Sequence, residues 1–525
     1  MFRCTRAPLE PMFSPTLTSF AFHKSPNGEF LSTSTNQHFT FFHTSNDRVN
    51  DLRRGAFQEA LRVDIAAELK EKYGVVEVFL SGEEGRDVGF GERPKGKHVS
   101  LLMTERGELR KKRDVVVVVG ESGQDCGVWA WRVVQREGGV ERGSAVGLVR
   151  RLAEWEGGEG DGEKEMAKLK LSDEGCGGEG EDETPGIIIL NPGQLLYSHD
   201  MGKNVSMPTW QSRPRPTAIS ECYKIEPRYN FIPGHENPHK HVQTVFNHIL
   251  PKLIPSNARL HIITIGDGAE PTIDLLNQTL LKNANLKLPA GMLESIALID
   301  PTHEHDSITS DLLRAFLATR GKSWMQSEET KGTRLLMPEG ALLGMPALEY
   351  APNARAVLPE LEGALVTDSS DEVASAQDSN VVESDSNEHE DSAAAGADDD
   401  RSPTPVPPNT PAALLPTSPE PIFTPQTVTL PQPQPDQEGS APNNNENEFD
   451  EEEDEYPPPL PLQVSCPTYS AGVCDGVVET VFPAVMDDVL EYLWTHIKLA
   501  RDSEKSAAAR EEARGVAWPR DGDEE

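Results

Sequence analysis

Paired cysteines, long apolar runs and, over one extended stretch, positive charge are missing from this 525-residue chain. The six cysteines (Cys4, Cys126, Cys176, Cys222, Cys466, Cys474) are scattered with no Cys-x-x-Cys pair. That excludes a zinc ribbon or dithiol redox motif and fits a reducing compartment. No stretch approaches the roughly 18 apolar residues of a membrane span. Met1–Phe22 has no apolar run behind a basic cluster, so no secretory signal is read there. A soluble, intracellular protein is expected. Between Arg355 and Lys498 the only Lys or Arg is Arg401. The net charge of −37 repels nucleic-acid phosphates, so direct RNA or DNA contact would need a local basic patch. The one basic run, Arg110-Lys111-Lys112-Arg113, reads as a solvated loop before a strand.

What is present divides by composition. Residues 1–110 are mixed. Phe20-Ala21-Phe22, Asn27-Gly28 and Phe30-Leu31 read as a hairpin, and Asp51–Tyr73 as a helix, together an N-terminal extension packed on a core. Residues 111–357 alternate strand and helix signals. Val115–Val119 is five consecutive valines, a run apolar on every face that suits a strand covered on both sides. Further strands are read at Ile187–Leu190, Leu260–Ile265 and Ser295–Ile299. Helices are read at Ser144–Trp155, His239–Leu253 and Glu270–Leu280. This rhythm predicts an α/β class with a doubly wound, mostly parallel sheet. The acidic, Gly-rich segment 156–184 reads as a disordered loop. Residues 358–461, acidic and then Pro-rich, cannot offset an ordering entropy of roughly 1–2 kcal/mol per residue, so a disordered insert is expected. Residues 462–500 read as a strand and an apolar-striped helix that complete the core, and 501–525 as a disordered tail.

One turn resembles a site for chemistry. A hydrolase nucleophile sits on a sharp strand-to-helix turn flanked by small residues. Leu260–Ile265 followed by Gly266-Asp267-Gly268 and a helix has that form, but the tip is Gly266. Asp267, one past the tip, has no evident activating base, and a glycine turn is the simpler reading. A dinucleotide fingerprint fails because Pro271 stands where a third glycine is needed. His235, His239 and His241 could assemble zinc ligands, but surface or capping roles are the preferred reading. Asp300 and His303 follow a strand's C-terminal end, where open parallel sheets bind ligands, and are better candidates. No cofactor and no metal is expected.

Several segments together resemble the Argonaute-binding domain family, found in the siRNA-chaperone complex of fission yeast, in animal relatives, and at the C-terminal end of fungal class II histone deacetylases. They are Val115–Gly120 with Gly127-Val128-Trp129, then Ile188 and Leu190-Asn191-Pro192-Gly193-Gln194, then Asn230, Pro233-Gly234 and His241-Val242. The turn at 266–268, Ala297–Asp300 with His303, and Cys466-Pro467 with Ser470-Ala471-Gly472 complete the set. The resemblance implies an α/β-hydrolase-like fold. Hydrolase-like members carry His-Ser-x-Gly-Gly at the turn and a histidine soon after Ser-Ala-Gly. This chain has Ile265-Gly266-Asp267-Gly268-Ala269 and Gly476 at those places, which implies a pseudo-hydrolase without enzymatic activity. Asn191, Gln194, Asp300, His303 and Ser470 are then pocket or binding candidates. The implied role is small-RNA-directed heterochromatin assembly and gene silencing, in the nucleus and secondarily the cytoplasm of a fungal cell. The implied partners are an Argonaute protein and a further chaperone-complex subunit, with small RNA held indirectly. Two alternatives stand: an esterase-like hydrolase using Ser122, and a scaffold for histone deacetylase or other chromatin proteins.

Overall fold

A computed structural model describes residues 9–154, 184–282, 286–338, 464–474 and 477–515, all in one compact unit. The strands in chain order are β1 Phe22–Lys24, β2 Phe30–Ser32, β3 Val75–Ser81, β4 Asp87–Phe90, β5 Val99–Thr104, β6 Asp114–Val119, β7 Gly186–Leu190, β8 Leu196–Ser198, β9 Lys203–Val205, β10 Arg259–Ile265, β11 Lys287–Leu288, β12 Gly291–Ile299, β13 Gly321–Met325, β14 Arg334–Leu336 and β15 Thr468–Ser470. Among the described residues an eleven-stranded sheet has the order β14-β15-β13-β12-β10-β6-β7-β5-β3-β4, with β11 on β12. From β15 through β7 the neighbours run parallel. Along β3-β5-β7-β6-β10-β12-β13-β15 only β5 runs against the rest, the arrangement of an α/β-hydrolase sheet.

The valine run shows why the sheet is covered on both faces. Every residue of β6 is buried, and period-two alternation divides its side chains. Val115, Val117 and Val119 join one apolar layer with Val242, Phe246, Ile273 and Leu313. Val116 and Val118 join the other with Phe57, Leu61, Leu148, Val485 and Leu493. The first layer is covered by the helices Pro238–Thr244, Ala269–Leu280 and Asp311–Arg320. The second is covered by Asp47–Tyr73, Ala145–Glu154 and Val481–Gly515. The helix Asp47–Tyr73 starts where the Asn46 side chain accepts from the backbone of Arg48 and Val49, and ends at Gly74 in the left-handed region (φ 62°). No helix among the described residues is long and apolar enough to cross a membrane.

Three expectations change. Residues 75–104 supply β3, β4 and β5 of the central sheet, so the segment 1–110 is not merely an extension packed on the core. The final helix runs to Gly515 rather than giving way to a disordered tail at 501. Its extra turns are anchored because Arg501 reaches Asp114 at 2.8 Å and Glu504 reaches Arg259 at 2.7 Å. The basic run is also not simply solvated, since Lys112 is buried and Arg113 pairs with Glu504. The expected loop 156–184, apart from Thr184, and the expected insert 358–461 lie outside the described residues. Leu336 of β14 pairs with Thr468 of β15, so the chain departs and returns at neighbouring points on one sheet edge.

Candidate functional site

The C-terminal ends of β6, β7, β10 and β12 converge on the turn at Gly266. Strand β10 ends at Ile265, and Gly266–Gly268 makes one tight turn into the helix Ala269–Leu280. Gly266 holds φ +54°, a left-handed conformation that L side chains adopt only with strain. A Cβ on it would meet the Glu121 side chain at 3.3–3.5 Å. The space that an elbow side chain would use therefore borders Glu121, which extends from the end of β6. Asp267 turns to the same loop. Its Oδ1 accepts from the Ser122 amide at 2.7 Å, and its Oδ2 accepts from the Ser122 hydroxyl. Gly268 leads into the helix, and its carbonyl accepts from the Thr272 hydroxyl at 2.8 Å.

The electrostatics are those of crowded carboxyls. Burial, then the charges of Asp267 and Glu479, push Glu121 up to about 7. Burial likewise raises Glu479, although Gln124 donates to it at 3.0 Å and Arg132 pairs with it at 3.0 Å. Asp300, at the end of β12 with φ 45°, is raised by burial and adds to the field on Glu121. Its amide donates to the Trp324 carbonyl at 2.7 Å. The adjoining cavity, lined by Glu121, Gln124, Trp129, Asn191 and Gly193 among others, measures about 10 Å³. That is room for about one water molecule.

Asn191 and Gln194 sit beside this cavity as brackets. Asn191 Nδ2 donates to the Ser100 carbonyl and to Gln194 Oε1, both at 3.0 Å, while its Oδ1 accepts from the Gln194 amide at 3.1 Å. Gln194 Nε2 donates to Asp125 at 3.0 Å. Gly193 lets this turn touch the loop after β6, for a Cβ there would stand 1.8 Å from the Gln124 carbonyl. His303 and Ser470 turn elsewhere. His303 Nε2 lies 3.0 Å from the Ser465 hydroxyl, and burial pushes its ring down to about 4. Ser470 is buried, donates to the Glu329 carbonyl at 2.8 Å and accepts from the Ser327 hydroxyl at 2.8 Å. Gly476 lies outside the described residues.

Two histidines differ from their expected surface roles. His235 and His241 are fully buried and form one chain. The Asn191 amide donates to His241 Nε2 at 3.2 Å, so His241 carries its proton on Nδ1 and donates to His235 Nδ1 at 2.9 Å. His235 Nε2 then donates to the Gly85 carbonyl at 2.9 Å. Both rings are thereby fixed as neutral, and burial pushes His235 down to about 4 and His241 well below its usual value. His239 does face outward, 3.2 Å from Asp274. Their separation follows from helical geometry: His241 points inward and His239, two residues earlier, cannot. Among the described residues no group of three or more His, Cys, Asp or Glu side chains is arranged to hold a metal ion.

Glu121, Gln124 and Glu479 complete the site and were not singled out from sequence, whereas Trp129 entered only within the Gly127-Val128-Trp129 segment of the resemblance. The available signal was position: Gly120-Glu121 ends an all-apolar strand whose C-terminal end faces the turn. Glu479 arrives from the far end of the chain, and local spacing carries no trace of that contact. Among protein families, the Arb2 domain matches residues 13–331. No curated protein matches the chain.

Proposed function

Because the chain belongs to the Arb2 domain family, the Argonaute-binding family, we propose that it is a non-enzymatic, Argonaute-binding subunit of siRNA-chaperone type, acting in small-RNA-directed heterochromatin assembly and gene silencing in the nucleus. The observation that carries the non-enzymatic part is the elbow itself. Its tip is Gly266, Glu121 borders the space a nucleophile would use, and Asp267 is tied to Ser122. Binding then falls to surfaces outside the elbow, with an Argonaute protein and a further chaperone subunit as partners and small RNA held through them. Affinity purification of the tagged chain, followed by mass spectrometry and small-RNA sequencing, is expected to recover an Argonaute protein with its small RNAs. Recovery of chromatin or deacetylase subunits without Argonaute would replace this reading with a scaffold. Labelling by a fluorophosphonate probe, lost in Ser122→Ala, would overturn the non-enzymatic part.

A further inference from the structure

Three residues that line the small cavity at the elbow each bury a polar atom without a hydrogen-bond partner: Glu121 Oε2, Gln124 Oε1 and Trp129 Nε1. Trp129 is 2% exposed and packs edge-on against Phe482, with ring centroids 5.4 Å apart. It is therefore held among packed neighbours. Gln124 turns its amide nitrogen to the two carboxyls, donating to Glu479 at 3.0 Å and acting to lower Glu121, which leaves Oε1 as the free acceptor. A buried polar group without a partner costs about 1–3 kcal/mol, and folded proteins seldom keep three together unsatisfied.

The chemistry of the three atoms selects the occupant. One is an N–H donor and two are oxygen acceptors. An anion would meet the field of Glu121, Asp267 and Glu479. A metal or ammonium ion has no lone pair to accept from the indole N–H. Water can accept from the indole N–H while donating to both oxygens, and a cavity of about 10 Å³ fits one such molecule. We propose that the elbow cavity is a binding site for a single ordered water molecule, which accepts from Trp129 Nε1 and donates to Gln124 Oε1 and Glu121 Oε2. Protonation of Glu121 reverses the last bond without displacing the water. The water ties together three side chains of the loop after β6 and, through the Gln124 bond to Glu479, links that loop to the turn before the final helix. The site is independent of which protein partner the chain binds.

A crystal structure of the full chain at about 1.5 Å is expected to show one density peak within about 3.2 Å of all three atoms. An empty cavity, a direct bond between Trp129 Nε1 and either of the two oxygens, or a peak that lacks the Trp129 contact would each overturn the proposal. In solution, water-oxygen relaxation dispersion counts long-lived buried waters. Trp129→Phe and Gln124→Met are each expected to lose a single one relative to the parent chain. Should Trp129→Phe fail to fold, the half-buried Gln124→Met still decides: a folded variant with an unchanged count would sink the assignment.

Discussion

At the N-terminal ends of β6 and β10 a buried carboxylate, Asp114, meets Arg259 through paired bonds of 2.7 and 2.8 Å, and Arg501 at 2.8 Å. At the C-terminal ends of the same two strands, Glu121 buries a carboxylate oxygen with no partner beside the charge of Asp267. Burial alone would raise Asp114, yet His261 and Arg259 hold it well below the usual carboxylate range; Glu121 goes the other way. The lower end is held by charge. The upper end is held by neutral polar chains, those of His235–His241 and Asn191–Gln194. Satisfied charges belong to architecture, and unsatisfied ones collect at the end where open parallel sheets meet their ligands. The difference places the fold's ionic anchor at the opposite end of these two strands from the elbow.

The largest blow to this contrast comes from the lower end. Asp114→Ala leaves Arg259 buried without its bidentate partner, and removing one member of a buried pair costs about 3–5 kcal/mol. Urea denaturation should show that loss with an unchanged slope. A loss below about 1 kcal/mol would mean that Glu504, already 2.7 Å from Arg259, takes over the pairing.

Acid should strike the upper end first. His235 is neutral in the fold, with its ring pushed from 6.5 to about 4. The unfolded chain therefore takes up a proton that the fold refuses, so stability is full above pH 6.5 and falls as pH drops toward 4. At pH 5 the loss from this ring is about 2 kcal/mol. Hydrogen exchange should show the Asn191 amide, which donates to His241, losing protection at pH 5 before the amides flanking Asp114. Loss in the reverse order would contradict the division between neutral and ionic ends.

Glu121→Gln sharpens the same division with a gain. A carboxyl raised from 4.5 to about 7 contributes fully below pH 4.5, and that contribution is lost as pH rises through 7. The variant should match the parent chain below pH 4.5 and exceed it at pH 8. Discounted for the partial exposure of the group, the gain is about 1–2 kcal/mol. Thermal melts at the two pH values separate this from a general packing change, which would appear at both.

How far the sequence could announce this contrast depended on whether a feature was local. The valine run declared a strand covered on both faces, and the glycine turn at 266 declared an elbow without a nucleophile. Asn27-Gly28 marked the hairpin, and Gly28 indeed holds φ 79°. β3 and β5 passed unread because Val75–Ser81 and Val99–Thr104 follow a helix and turn-rich segments with no α/β rhythm. Their place in the sheet is set by pairing with each other and with β7. The lower anchor was equally hidden, since Asp114, Arg259 and Arg501 meet across hundreds of residues. His235 and His241 were misjudged because a histidine's burial is decided by what packs over it.

The smallest change tests whether the two ends differ in burial or only in the number of ion pairs. Arg132 meets Glu479 at 3.0 Å, a separation close to the 2.7 Å of Arg259 and Asp114. The Arg132 side chain, however, is 66% exposed, against 5% for Arg259. Water already screens the exposed pair, and removing the guanidinium lets solvent take its place, so Arg132→Ala should cost under about 1 kcal/mol. The same urea titration used for Asp114→Ala measures it. A loss above about 2 kcal/mol would show that the upper end also depends on a paired charge, and the contrast drawn from Asp114 and Glu121 would collapse.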